Sequence, residues 1–161
     1  MKYTASLDKV AKGITIGACL LVLGVIIVTS ITSGGRIPLF TIVFPAVTLL
    51  AIYFYAPKSY TLSDSTLTIN KVMGKVNIDL NTIKELEKIP KFEGGTIRTF
   101  GSGGFFGYYG KFYNRVIGKM SMYVTRRDTM ILVKTKDDRN IIISPDDIGL
   151  FDKLSAATHI S

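Results

Sequence analysis

The chain has 161 residues, 47% of them hydrophobic and 20% charged, with a net charge of +8. That is room for about one domain. One Cys, ordinary Gly and Pro counts and abundant Ile, Leu and Val exclude disulfide-scaffold, collagen-like and disordered classes. The charge is sorted along the chain. Residues 13–35 and 37–57 carry none, whereas sixteen of the twenty Lys and Arg and eleven of the twelve acids follow Pro57. This sorting argues against a plain soluble enzyme.

The chain opens with a basic segment, residues 1–12, that reads as a tail. Residues 13–33 and 37–56 then read as two apolar helices joined by a connector at 34–36. A 20-residue helix is about 30 Å long, the thickness of the hydrocarbon core of a bilayer. Lipid offers no hydrogen bonds, so a spanning segment must be helical despite its β-branched residues. A buried core hairpin is disfavoured by the length of the runs. A cleaved leader is disfavoured because no small-residue site separates them. Cys19 reads as a small apolar residue inside the first span. Lys2, Lys9 and Lys12 precede the pair and Lys58, Lys71 and Lys75 follow it, against Arg36 alone in the connector. The positive-inside rule then predicts a multi-pass protein of the cytoplasmic membrane with both termini inside.

Residues 59–161 read as a compact cytoplasmic domain, mainly β. Residues 60–63, 66–71 and 75–80 alternate apolar and polar, the pattern of half-buried antiparallel strands. Residues 83–89 read as a turn and a strand. Residues 120–125, 130–133 and 141–143 are further strands, joined by charged turns. Ser144-Pro145-Asp146-Asp147 predicts a helix start, with Ser144 as N-cap, and Ile148, Phe151, Leu154 and Ala157 form its apolar stripe.

Four stretches carry a family resemblance: Tyr60-Thr-Leu-Ser, Phe100-Gly-Ser-Gly-Gly-Phe-Phe-Gly-Tyr-Tyr-Gly, Tyr123-Val-Thr and Ile143-Ser-Pro-Asp-Asp. With these, residues 59–158 resemble the bacterial pleckstrin-homology-like (PH-like) domains, here behind a two-helix membrane anchor. The resemblance implies a bent antiparallel sheet, barrel-like, closed by a C-terminal helix. It implies binding rather than a reaction, and an ability to form oligomers in some relatives. The long insert before Met120 departs from the compact eukaryotic hairpins, so phosphoinositide binding is not carried over.

That insert is the distinctive surface candidate. Residues 100–113 hold seven of the seventeen aromatics and five glycines, and residues 94–120 hold four basic residues and no acid. As a loop, Gly101, Gly103 and Gly104 would let the backbone turn and cradle an anion. Arg98, Lys111 and Arg115, with the rings of Phe105, Phe106, Tyr108 and Tyr109, would face lipid headgroups or a partner. The competing reading buries the rings in the core. Stacking on nucleic acid is not expected of a membrane-tethered domain, and no GxGxxG or Gly-Lys-Ser motif marks a nucleotide site.

Nothing in the soluble part suggests catalysis. It has no Cys, and His159, the only His, sits by the C-terminus. No cofactor and no metal site is expected. The expected function is a non-catalytic, membrane-anchored binding module for a partner protein or anionic lipid at the inner membrane surface. The alternatives are a self-associating homo-oligomeric scaffold and, third, an enzyme of unrecognised class.

Overall fold

The computed structural model describes residues 1–90, 92 and 94–158. Two helices come early. Helix α1 spans Lys9–Thr32 and α2 spans Leu39–Tyr55. Helix α1 starts before residue 13 because Asp8 caps it, its side chain accepting from the Ala11 N–H at 2.6 Å. Among the described residues α1 is the one helix of at least 18 residues apolar enough to cross a membrane, and α2 is an apolar helix of 17 residues. Helix α2 is shorter than the predicted 37–56. Pro38 stays extended at its start (ψ 129°), and Ala56 turns extended (ψ 136°) ahead of Pro57. Apolar side chains point outward all round both helices, and of their residues only Ala11 is buried.

The remaining chain folds as two sheets. Strands β1 (Lys2–Thr4), β2 (Pro57–Leu62), β3 (Thr66–Lys71) and β4 (Lys75–Asp79) form an antiparallel sheet in that order. The segment read as a free tail therefore supplies an edge strand, with Tyr3 opposite Tyr60, and so joins the start of α1 to the end of α2. A 3-10 turn, Leu80–Thr82, leads to the second sheet. Its strands are β5 (Ile83–Ile89), β6 (Thr96–Gly104), β7 (Gly107–Asn114), β8 (Gly118–Val124), β9 (Met130–Thr135) and β10 (Asn140–Ile143). The spatial order is β5-β9-β10-β8-β7-β6. This is not the wholly antiparallel sheet that the resemblance implied. β10 inserts between β8 and β9 and runs parallel to β8, with Ile142 opposite Met122. Nor do the sheets close into a barrel.

The main core lies between the sheets. Tyr60, Leu67, Ile69 and Ile78 meet Ile131, Val133, Ile141 and Ile143, and helix α3 (Gly149–Thr158) adds Leu150 and Leu154. The opposite face of the larger sheet buries Tyr108, Phe112, Met120, Met122, Val124 and Leu132 against Ala11 of α1.

Two expectations about α3 need correction. The helix begins at Gly149, whose N–H donates to Asp147 Oδ1 at 2.8 Å. Of the predicted stripe Leu154 is fully buried, joined by Leu150, while Ile148 is exposed and Phe151 is partly buried at the margin of the core, with Lys88 Nζ 4.4 Å from its ring. Ser144 is no N-cap, because the domain uses it elsewhere. Its Oγ accepts from the Thr125 N–H at 2.9 Å and the Arg126 N–H at 3.3 Å, and its own N–H donates to the Tyr60 hydroxyl at 3.1 Å. Tyr60 is fully buried, and burial pushes its pKa up to about 12. Ser144→Ala would strand the buried Thr125 N–H. The expected loss is about 1–3 kcal/mol, read from the urea midpoint of the full chain.

Candidate functional site

The glycine-aromatic segment is not a loop. It is the β6–β7 hairpin, with Gly104 opposite Gly107 and Phe105-Phe106 at the turn. Phe106 takes a left-handed φ of 51°. Two glycines in the hairpin are obligatory. Gly101 and Gly110 face each other across the strands at φ 112° and 122°. A Cβ on Gly101 would strike the Tyr109 carbonyl oxygen, and one on Gly110 the Phe100 carbonyl oxygen. Gly101 and Gly110 thus serve close strand approach, and a Cβ on Gly104 would strike Ile14 of α1, so this segment is not the anion-cradling loop expected.

The hairpin tip packs on both early helices. The Phe106 N–H donates to Thr15 Oγ1 of α1 at 3.0 Å. The Phe106 ring stands edge-on to Tyr53 of α2, with centroids 5.2 Å apart, and to Phe105 at 5.0 Å. The Tyr109 hydroxyl donates to the Ile52 carbonyl, and burial raises its pKa. Other contacts hold the helix ends. Met73 N–H donates to Phe54 O at 2.8 Å, Val72 N–H to Ala56 O at 2.9 Å, and Asp8 N–H to Thr125 O at 3.1 Å. The carbonyls at a helix end otherwise lack partners, and two of these bonds supply them at the end of α2.

The predicted contact residues are divided by this geometry. Phe105 and Phe106 are half-buried, Phe106 against the helices and Phe105 against Phe106, and Tyr108 and Tyr109 are buried. Among the described residues the Tyr108 hydroxyl has no hydrogen-bond partner, and Arg127 lies 4.7 Å from its ring centroid. Burial raises the Tyr108 pKa, the Asp8 charge adds to this and Arg127 opposes it. Arg98 is exposed, and its guanidinium lies over Gly103, close to the tip. Lys111 is exposed and donates to Ser121 Oγ at 2.8 Å. Arg115 follows β7 at the far end of the hairpin. At about 3.3 Å per residue, the strand carries it about 26 Å from the tip. It does not join the others.

Sequence reading missed a second basic cluster. Lys9 and Lys12 at the base of α1 share an open pocket with Arg126, Arg127, Asp8 and Asp128. Asp8 and Asp128 offset part of its charge, and Arg126 pairs with Asp128 at 2.6 Å. No linear motif could have joined Lys9 to Arg127, which the fold brings together. Asp146 fastens the neighbouring N-terminal segment: it accepts from Ser6 N–H at 2.9 Å, Ser6 Oγ at 2.7 Å and Arg126 Nη1 at 3.3 Å. Burial alone would raise the Asp146 pKa, but the Ser6 and Arg126 hydrogen bonds bring it below its ordinary value. A carboxylate with a depressed folded pKa adds stability above its unfolded pKa of about 4, and the gain is lost as the pH falls through the folded value. Protease cleavage between β1 and α1 is therefore expected to rise on acidification below about pH 4. Asp146→Asn should raise cleavage at neutral pH and flatten the profile.

Among the described residues no group of three His, Cys, Asp or Glu could hold a metal ion. His159 lies outside the described residues. A family model described as bacterial PH domain matches residues 58–157, from the first residues of β2 to the last turn of α3. No curated protein and no solved structure matches the chain. The mainly-β domain of two sheets fits a PH-like fold, and the chain belongs to the bacterial PH domain family.

Proposed function

We propose that the protein is a membrane-anchored binding module of the inner membrane. In this reading α1 and α2 cross the bilayer as a hairpin, both termini are cytoplasmic, and the PH domain engages anionic lipid headgroups. One observation carries it: the β6–β7 tip is bonded to Thr15 and packed on Tyr53, both inside the apolar stretches. Thr15 lies six residues into α1, about 9 Å along its axis. If the helices span, Phe105 and Phe106 therefore sit at the boundary of the bilayer, the depth that aromatic rings favour. The integration of β1 into the domain argues against a cleaved leader, because cleavage would remove an edge strand. The non-catalytic reading rests on the family's character as a binding fold.

The tip also sets which cations matter. A cation near an anionic surface contributes about 1 kcal/mol, and the effect fades over a Debye length of about 10 Å. Arg98, whose guanidinium reaches back to Gly103 beside the tip, falls within reach of the headgroups, whereas Lys111, about 13 Å from the tip along β7, lies at the margin and Arg115 beyond it. The test uses the full chain in vesicles. A reporter fused after residue 161 should work in the cytoplasm, and Ser33→Cys in a Cys19→Ser background should label from outside. Hydrogen-exchange protection of the hairpin should rise with anionic lipid, fall with salt, and drop in Arg98→Gln but not in Arg115→Gln. A C-terminal reporter active only outside would overturn the topology. Protection indifferent to lipid charge would overturn the headgroup reading.

One observation favours a second reading, self-association. β6 is an open edge of the larger sheet, and Ile97 and Phe100 on it are 65% and 77% exposed. Such an edge can accept a strand from a second copy. Concentration-dependent size in detergent, abolished by Ile97→Lys, would favour the scaffold over the headgroup module.

A further inference from the structure

Beside the last turns of α2 lies an open groove of about 560 Å³. One wall is α2, through Ala51, Ile52 and Tyr55, and the floor is the glycine pair Gly101–Gly110. No side chain can grow from that floor, since a Cβ on either glycine meets the opposing backbone. Two cations line the groove from separate elements, Lys71 at the end of β3 and Lys111 on β7. Lys71 Nζ lies 5.0 Å from the centroid of the Tyr55 ring, and Lys111 Nζ is bonded to a neutral hydroxyl. No carboxylate lines the groove.

Taken with the membrane reading above, on which this rests, we infer that the groove holds one anionic phospholipid of the surrounding leaflet. Its phosphate sits between Lys71 and Lys111, and its chains run along the exposed apolar flank of α2. The chemistry fits each part. Two cations without a nearby acid select an anionic head, and an apolar wall continuous with a membrane helix selects a chain-bearing ligand. The volume falls in the range of about 300–1,000 Å³ typical of ligand sites. A free phosphate would use the lysines but leave the α2 wall bare. The module would thus carry a structural lipid that fixes the domain against α2.

The test is native mass spectrometry of the full chain, released from detergent containing equal phosphatidylglycerol and phosphatidylcholine. One phosphatidylglycerol should be retained, at least about tenfold over phosphatidylcholine, a 1.4 kcal/mol preference. Excess glycerol 3-phosphate should not displace it. Lys71→Gln with Lys111→Gln should bring the ratio near parity, whereas Lys84→Gln with Lys136→Gln, an equal change of charge, should leave it. Ala51→Phe, which fills the groove without changing charge, should remove the bound lipid. Circular dichroism of each variant controls for folding. Equal retention of both lipids by the unmodified protein, a ratio unmoved by the Lys71 and Lys111 pair, or displacement by glycerol 3-phosphate would each overturn the assignment. The Ser33→Cys labelling separates the two failures: correct labelling with no lipid preference sinks the groove alone, and failed labelling sinks the membrane reading with it.

Discussion

Leu154→Ala is expected to destabilise the domain by about 2–5 kcal/mol, a large share of the stability of a domain this size. Leu154 is fully buried, one turn after Leu150, where α3 closes the space between the two sheets. Helix α3 lies against the edge strand β5 and the Leu80–Thr82 turn, and Leu154 reaches the core shared by both sheets, so its truncation leaves a cavity there. Phe151→Ala should cost less, because its ring is only partly buried, packed against the margin of the core with Lys88 over it. Urea unfolding of the full chain in mild detergent, followed by tyrosine fluorescence, measures both. Equal losses would mean that the helix docks on its Phe151 face.

Gly110→Ala should have an effect of similar size for a different reason. The backbone there sits at φ 122°, where an L side chain is strained by about 1–3 kcal/mol. The added methyl also meets the Phe100 carbonyl oxygen across the hairpin, so the strands must part. A total near 3 kcal/mol is expected, with a signature that Leu154→Ala lacks. Parting the strands pulls Tyr109 from the Ile52 carbonyl and loosens the hairpin from the helices. Amide exchange should therefore rise in β6 and β7 while the β2–β3–β4 sheet keeps its protection. Uniform loss across both sheets would show that the hairpin is part of the main cooperative unit.

These two sites mark where the sequence speaks and where it falls silent. The strands β2, β3 and β4 were legible because one face of each is buried and the other wet. Leu67 and Ile69 are fully buried and Thr68 between them is not. The continuous apolar run at 130–133 was legible as a strand covered on both faces, and it is. β1 was not, because three residues show no period and their partner lies across two helices. The position of β10 depends on which edge of β8 is free, a tertiary matter. The hairpin read as a loop because glycines weaken any strand signal. Only the register shows that Gly101 and Gly110 face each other. The start of α3 was misread because Ser144 carries the chemistry of a cap but is buried among Tyr60, Thr125 and Arg126, which claim its bonds first. Of the site, the aromatic and basic composition was legible. The division of those residues between helix contact, core and far turn was not.

In the proposed arrangement the hairpin tip rests at the bilayer boundary while the rest of the domain stands in water. A nitroxide spin label at Phe106→Cys, in full-length Cys19→Ser protein in liposomes, reports this depth through its collisions with oxygen and with a water-soluble nickel complex. In that arrangement a label at Phe106 is shielded from nickel and open to oxygen, and a label at Arg115→Cys is open to nickel. A Phe106 label as accessible to nickel as the one at Arg115 would contradict it.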